Sequence, residues 1–256
     1  EEAMMTTDKF PKMAVRRRLC GSKEITVCGM AKGAGMIEPH MATLLTYMLT
    51  DADVESATLN RVFRQAVEKT FNAVSVDGCM STNDTAIILA NGRAGNAVLK
   101  GRSKEVDVFT EMLVEVMGKL SQDLVRDGEG ATKVIEIVIE EAKSPGDAKK
   151  VAYAIANSNL VKTAFFGGDP NWGRIIQAVG ATGIPLPVDQ VGVFFDGIPV
   201  FLNGQGIYGH EKAVAEAMKQ TAIRLTVKLG MGSKTFRLHA SDLSFEYVEI
   251  NAHYTT

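Results

Sequence analysis

The chain has 256 residues, of which 46% are hydrophobic and 23% charged, a composition that is typical of folded globular proteins and excludes a disordered chain. With 28 basic and 30 acidic side chains, the formal net charge is −2, which argues against a nucleic-acid partner. The one basic cluster, residues 16–18, is too short to change this and is expected to be a solvated face. Because no uncharged apolar run reaches about 18 residues, we expect a soluble protein with no membrane partner.

The cysteine and histidine content bears on the compartment and on metal binding. Cys20, Cys28 and Cys79 cannot all pair internally, which favours a reducing compartment, either the cytoplasm or an organelle matrix in a eukaryote. No histidine or cysteine has metal-ligand spacing and no glycine-rich segment has nucleotide-loop offsets, so we expect neither a metal nor a resident cofactor. The chain opens with neither a secretory signal nor a methionine, so we expect it to begin inside a longer gene product.

Four elements are predicted in the first part of the chain. Residues 24–30 cluster β-branched side chains before a glycine and predict a short strand. Glycines then accumulate over residues 32–39, which predicts a tight loop. The apolar run at residues 43–50 favours a buried strand over a short helix, and the helical spacing of apolar residues over 59–74 predicts an amphipathic helix.

The middle of the chain carries three further elements and a boundary. Residues 85–90 predict a strand, residues 106–125 a long helix, and residues 133–139 a strand rich in valine and isoleucine. A Ser-Pro-Gly-Asp turn at residues 144–147 then breaks the pattern. We take it as the domain boundary, which divides the chain into domains 1–146 and 147–256.

The last third mixes helices and strands. Residues 147–163 predict a helix, followed by a loop at 167–173 and a helix or turn at 174–179. Asp196-Gly197 between two apolar runs, 191–195 and 198–202, predicts a hairpin.

Two elements are predicted near the C-terminus: a helix over residues 211–225 and a terminal strand over 245–250. Along the whole chain, helices and strands do not alternate strictly, as they would in a doubly wound fold. The predicted fold class is therefore α+β.

One segment could carry chemistry. Ala42 precedes Thr43 at the start of an apolar element, and Lys32 lies upstream at the edge of the glycine-rich loop. In this arrangement the Thr43 hydroxyl could attack the Ala42 carbonyl, and hydrolysis would free the α-amine of Thr43 as a base for its own hydroxyl. On these residues alone, a buried strand threonine with a satisfied hydroxyl is the more common interpretation.

The run from Lys32 to Thr43 resembles the self-cleavage segment of the ornithine acetyltransferase family, also called the bifunctional glutamate N-acetyltransferase or ArgJ family. Other blocks resemble family signatures in the same order, and together they cover essentially the whole chain. These blocks are residues 6–8, 77–84, 127–133, 168–174 and 250–256. The resemblance therefore rests on six collinear motifs.

The resemblance implies site residues. Thr43 would be the nucleophile exposed by autoproteolysis after Ala42. The substrate-binding positions would be Thr6, Lys32, Thr43, Glu129, Asn251 and Thr256. A substrate α-carboxylate suits Lys32, and a distal ammonium suits Glu129. On the residues alone, each of these has a structural alternative: a surface salt bridge for Lys32 and Glu129, a cap for Thr6 and a frayed end for Thr256.

The resemblance also implies an activity: acetyl transfer from N-acetylornithine to glutamate through an acetyl-threonine, as in the cyclic route of arginine biosynthesis. Some family members also use acetyl-CoA as the donor. The implied fold is a sandwich of stacked β-sheets covered by helices, with a smaller C-terminal α/β domain that contributes its C-terminus to the site. The two self-cleaved chains would form a heterodimer and then a higher oligomer.

The chain departs from the family pattern in three respects. His40 replaces a common asparagine, and Cys79 replaces a common aspartate. The family's N-terminal segment, with a Thr-Gly pair that supplies the oxyanion hole, is not among these residues. Two other functions stay open: a self-cleaving amidase or aminopeptidase, in which water replaces glutamate as the acyl acceptor, and an uncleaved relative without catalytic activity.

Overall fold

A computed structural model of the chain describes residues 2–38, 44–80 and 85–253. The chain forms two compact units. The first comprises Glu1–Val74 and Cys79–Gly128, and the second comprises Ser75–Gly78 and Glu129–Thr256. Both units contain helices and strands, so the predicted α+β class is confirmed. In the part of the chain that the structure describes, no helix combines the length and apolar character needed to cross a membrane.

The first unit is built on a four-stranded sheet. Its strands, in spatial order, are β1 (Lys12–Cys20), β2 (Lys23–Lys32), β3 (Leu45–Thr50) and β5 (Thr85–Ala90), and β4 (Val74–Ser75) lies between β3 and β5 in the chain. The pairings β1–β2 and β2–β3 are antiparallel, whereas β3–β5 is parallel. Lys32, the last residue of β2, therefore lies opposite Leu45, the first residue of β3.

Helix α2 (Lys104–Arg126) packs on β1 and β2 of this sheet, and helix α1 (Ser56–Lys69) packs on α2. Ser103 begins α2 by accepting a hydrogen bond from the backbone N–H of Val106, which satisfies one of the unpaired donors at a helix start. Alternate residues of β2, including Ile25 and Val27, are fully buried in one apolar cluster with the inner face of α2. The period-2 pattern of the strand and the helical pattern of α2 thus meet in one core.

The second unit contains a seven-stranded sheet in the order β4-β11-β6-β10-β7-β8-β9. Its further strands are β6 (Val134–Ala142), β7 (Gly192–Phe195), β8 (Ile198–Leu202), β9 (Gln205–Gly206), β10 (Ala222–Lys228) and β11 (Lys234–Ser241). The central pairing β6–β10 is parallel, and the pairings of β6 with β11 and of β10 with β7 are antiparallel. Valine and isoleucine side chains of the central strands are buried, as a central strand requires.

The helices of this unit are α3 (Pro145–Ala156), α4 (Asn159–Gly167), α5 (Trp172–Gly180), α6 (Glu211–Met218) and α7 (Phe245–His253). Side chains of Ser144, Ser158 and Asn171 accept backbone hydrogen bonds that start α3, α4 and α5. The Ser144–Asp147 turn, predicted as the domain boundary, lies inside the second unit. There, Ser144 is the cap of α3.

Most element predictions are confirmed. The strands predicted at 24–30, 85–90 and 133–139, the helix at 106–125 and the hairpin around Asp196-Gly197 all form. The strand predicted at 43–50 forms as β3, although Thr43 itself lies outside the described residues.

Four predictions need correction. The helix predicted over 59–74 ends at Lys69 and is followed by a 3-10 turn, Phe71–Ala73, and by strand β4. The helix predicted over 147–163 is two helices, because Ser158 starts a new one. The helix predicted over 211–225 ends at Met218, and the alternating residues from Ala222 form the central strand β10 instead. The strand predicted at 245–250 is helix α7. Its apolar residues, Phe245 and Val248, are three apart and so also fit the period of a helix.

Candidate functional site

Lys32 and Thr6 form a hydrogen-bonded pair in the first unit. The side chain of Lys32 is buried, with 6% of its residue surface exposed, and its Nζ donates to Thr6 Oγ1 at 2.8 Å. Among the described residues, Lys32 has no carboxylate partner within ion-pair distance. A buried ammonium with one neutral partner is costly unless an anion completes its coordination. The position is therefore suited to a carboxylate ligand.

The carboxylate of Asp8 binds the backbone of both segments that form this pair, at Thr6 and at Gly33. Asp8 Oδ1 accepts the N–H of Gly33 at 2.9 Å and Lys12 Nζ at 2.7 Å, and Oδ2 accepts the N–H of Thr6 at 3.1 Å. Desolvation, the largest single effect, raises the pKa of Asp8, but the hydrogen bonds from Lys12, Gly33 and Thr6 outweigh it and hold the pKa below its ordinary value. Asp8 is thus a buried, ionised acceptor.

Lys12 joins Asp8 to a second buried carboxylate. Its side chain is fully buried, and Nζ donates to Asp127 Oδ2 at 2.5 Å as well as to Asp8. Asp127, which follows the last residue of α2, also accepts the N–H of Lys9 at 3.0 Å on both oxygens. Asp8 and Asp127 belong to motifs that carry the family resemblance, but their spacing in the chain gives no indication that one lysine lies between them.

Glu129 and Asn251 form a pair in the second unit. Asn251, on α7, donates from Nδ2 to Glu129 Oε2 at 2.9 Å and to the carbonyl of Tyr247 at 3.0 Å. The second bond fixes the amide on its helix, so that its other donor points to the carboxylate. Glu129 therefore presents a carboxylate that is hydrogen-bonded to Asn251, and a carboxylate is the kind of group that binds an ammonium.

A glycine brings α7 close to Glu129. Gly130 has a φ of +66°, and a Cβ on it would lie 2.4 Å from the backbone nitrogen of Tyr247. Ser244, just before α7, donates from Oγ to the carbonyl of Gly130 at 2.6 Å. The start of α7 is therefore packed directly on the backbone next to Glu129, a distance that a residue with a side chain does not permit.

Most of the remaining predicted site residues lie outside the part of the chain that the structure describes. Ala42, Thr43 and Thr256 lie outside the described residues, as does His40. Cys79 is described and exposed. Of the six predicted substrate-binding positions, the structure thus brings Lys32 to Thr6 in one unit and Asn251 to Glu129 in the other.

A pocket in the first unit is lined in part by Ile37, Glu38 and Leu44, described residues on either side of positions 39–43. The rest of its wall is mostly apolar and comes from the end of α1, the turn that follows it and the start of β5. Of the described substrate-binding positions in this unit, neither Thr6 nor Lys32 lines it. No motif in the sequence indicates this pocket, because most of its lining residues are apolar side chains of the kind that fill a core.

The fold and these side chains define an α+β protein with a buried ammonium in one unit and a carboxylate in the other, groups suited to small charged ligands. The chain belongs to the ArgJ family, whose model matches residues 1–256.

Its relatives bear this out. It is 48% identical to the arginine biosynthesis bifunctional protein ArgJ of Geobacter sulfurreducens over 99% of this chain, and 47% identical to that of Syntrophotalea carbinolica, also over 99%. The chain spans about 65% of the length of these curated relatives. Among solved structures, it is similar to the arginine biosynthesis bifunctional protein ArgJ of Bacillus halodurans, with a TM-score of 0.77 and 33% identity over 81% of this chain and 98% of that one.

Proposed function

We propose that this protein transfers an acetyl group from N-acetylornithine to glutamate through an acetyl ester on Thr43. The observation that carries the proposal is the buried Lys32 ammonium, which has a hydroxyl but no described carboxylate as its partner. An α-carboxylate, present in both N-acetylornithine and glutamate, is the anion that this group would bind. Membership of the ArgJ family supports the same activity.

The nucleophile would arise by self-cleavage. The Thr43 hydroxyl adds to the Ala42 carbonyl, and the peptide bond breaks as the acyl group moves from nitrogen to oxygen. Water then hydrolyses this ester, which leaves the Ala42 carboxylate and the free α-amine of Thr43. That amine is the base that takes the hydroxyl proton in the next reaction.

Transfer would follow a ping-pong route. Thr43 Oγ attacks the acetyl carbonyl of N-acetylornithine, the α-amine takes the hydroxyl proton and returns it to the leaving nitrogen, and ornithine departs. The amine of glutamate then attacks the acetyl-threonine ester and regenerates Thr43. In this scheme, preorganised donors stabilise each oxyanion, a function that the family resemblance assigns to a Thr-Gly pair in a preceding segment.

Selection between amino acids would depend on Glu129. The distal ammonium of ornithine is a charge-assisted donor to this carboxylate, which Asn251 orients. Such a contact contributes about 1.5–3 kcal/mol, enough to favour ornithine over an uncharged side chain. Thr6 and Thr256 complete the proposed binding positions.

The proposed assembly is a heterodimer of the two self-cleaved chains that associates further. No resident cofactor is required by the scheme, and acetyl-CoA is a second acetyl donor to be tested. A cytoplasmic location is supported by Cys20, Cys28 and Cys79, which form no disulfide among the described residues, since disulfides are rare in reducing compartments.

Mass spectrometry under denaturing conditions tests the nucleophile. The protein expressed from its complete gene should give two fragments, the second beginning at Thr43, and Thr43→Ala should give one chain. Thr46→Val is a matched control, because the hydroxyl of Thr46 is buried and has no hydrogen-bond partner among the described residues. Uncut chains in both parent and Thr43→Ala would favour the non-catalytic alternative.

The identity of the acyl acceptor, glutamate or water, distinguishes the acetyltransferase from an amidase or aminopeptidase. Incubation with N-acetylornithine and labelled glutamate should give labelled N-acetylglutamate and ornithine. An amidase or aminopeptidase would release acetate or a free amino acid and leave the labelled glutamate unacetylated. Replacing N-acetylornithine with acetyl-CoA in the same assay tests the second donor.

A further inference from the structure

The Asp8 carboxylate contacts the chain at two points that flank the Lys32–Thr6 pair. It accepts the backbone N–H of Thr6 itself and the backbone N–H of Gly33, the residue after Lys32. Thr6 lies in the N-terminal segment before β1, and Lys32 ends β2. One carboxylate thus joins two segments that are 26 residues apart in the chain, at the point where their side chains meet.

A second anchor holds Asp8 itself. Lys12 Nζ donates to Asp8 at 2.7 Å and to Asp127 at 2.5 Å, and the side chains of all three residues are fully buried. A buried carboxylate with three donors has no free rotamer available, because any rotation would leave several donors unpaired. The position of Asp8 is therefore fixed by the core of the first unit.

From this geometry we infer that Asp8 is a positioning residue, which sets the distance between the Lys32 ammonium and the Thr6 hydroxyl and so prepares the subsite for a substrate carboxylate. The inference rests on the proposed function for the identity of the substrate. It adds a residue that touches no substrate and acts through Lys32 and Thr6. Lys12, which pairs with both Asp8 and Asp127, holds the Asp8 carboxylate in place.

Asp8→Asn would disturb these hydrogen bonds without changing the size of the side chain. Asp8 accepts three hydrogen bonds, on two oxygens, from Lys12, Gly33 and Thr6. An amide keeps one oxygen and turns the other acceptor into a donor, so one of these N–H groups would face another donor. The backbone of Thr6 or of Gly33 would then move away, and the Lys32–Thr6 distance would change.

The test measures kcat and KM for N-acetylornithine with the protein expressed from its complete gene. In Asp8→Asn we expect KM to rise about tenfold, with a smaller change in kcat. The substitution weakens binding of the substrate α-carboxylate and leaves the reacting groups unchanged. Asp51→Asn is the matched control. Asp51 also accepts a backbone N–H from β2, at Thr26, but lies at the other end of the strand from Lys32. Its KM should stay at the parent value.

A double-mutant cycle separates positioning from general destabilisation. If Asp8 acts through Lys32, Asp8→Asn should cause no further rise in KM when it is combined with Lys32→Met. Equal effects of Asp8→Asn in both backgrounds, or an unchanged KM, would overturn the inference. Should Asp8→Asn not fold, Asp8→Glu takes its place: it keeps the charge beside Lys12 but moves the carboxylate, so it should still raise KM, and a parental KM would show that only charge matters.

A crystal structure of Asp8→Asn distinguishes failure of the inference from failure of the proposed function. A parent that forms no N-acetylglutamate would contradict the function alone. The Lys32 Nζ to Thr6 Oγ1 distance, 2.8 Å in the parent, would still be measurable in the variant. Its lengthening beyond hydrogen-bond range supports the positioning role, and an unchanged distance rejects it.

Discussion

The backbone nitrogen of Tyr247 lies 2.4 Å from the point where a Cβ on Gly130 would be. Gly130→Ala therefore combines a left-handed φ of +66° with a collision against helix backbone, which cannot move as a side chain can. We expect a loss of about 3 kcal/mol in the free energy of unfolding, from the strain and the overpacking together. Urea denaturation measures it.

Gly183→Ala is the control for this substitution. Gly183 has a similar φ of +69°, but an added Cβ would meet nothing within 4 Å. The backbone strain alone should cost about 1 kcal/mol. Equal losses in the two variants would show that the approach of α7 to Gly130 does not contribute.

Glu129→Gln tests the ammonium subsite. The variant keeps the size of the side chain and an oxygen for the Asn251 amide, but it removes the negative charge. KM for N-acetylornithine should rise about 10–100-fold, whereas KM for glutamate, which has no distal ammonium, should change much less. Steady-state kinetics with each substrate varied in turn gives both values. Glu249→Gln, an exposed residue of α7, should leave both unchanged.

Lys12→Met tests the buried ion network. It leaves the carboxylates of Asp8 and Asp127 buried without their shared cation, and removing one member of such a group costs about 3–5 kcal/mol. Thermal and urea unfolding should both show the loss. Lys219→Met breaks an exposed pair with Glu216 and should change stability little. A small effect of Lys12→Met would mean that the two carboxylates take up protons or water instead.

Sequence patterns predicted the elements in which the apolar residues repeat with one period, either that of a helix or that of a strand. The long helix α2 and the strand β6 are examples, since each has a single period and clear ends. Strand β1 was not predicted, because Arg16, Arg17 and Arg18 interrupt its apolar residues. Arg16 and Arg17 are exposed, as expected of a solvated face, whereas Arg18 is partly buried and pairs with Glu115 of α2.

The residues of the candidate site were predicted mainly from the family resemblance and only to a small extent from the spacing of residues in the sequence. Thr6 and Lys32 are far apart in sequence, and only the fold brings their side chains together. Asp8 stands in a motif that the resemblance includes, yet nothing in that motif indicates that its carboxylate binds the backbone at Gly33. Contacts of this kind depend on the register of β2, which single-sequence patterns do not determine.

Lys162 is a buried lysine on α4 that sequence patterns do not distinguish from a surface lysine. Its Nζ donates to the carbonyls of Val76 and Ser241, at 2.7 and 2.5 Å, and it is 4% exposed. Burial lowers the pKa of Lys162 to about 8, against weaker opposing effects of Asp242 and Asp77. The folded protein therefore loses this proton at a lower pH than the unfolded chain does.

This difference predicts that stability rises with pH through one window. Between about pH 8, where the folded state loses the proton, and about 10.4, where an unfolded lysine does, the unfolded state binds more protons. Lys162 should then add up to about 1.4 kcal/mol of stability per pH unit. Urea denaturation at pH 7 to 10, taken as the difference between parent and Lys162→Met, isolates this contribution from other titrating groups. Lys150→Met, an exposed position on α3, should run parallel to the parent. If Lys162→Met also runs parallel to the parent, the lysine titrates at its ordinary pKa and water reaches it in the folded state.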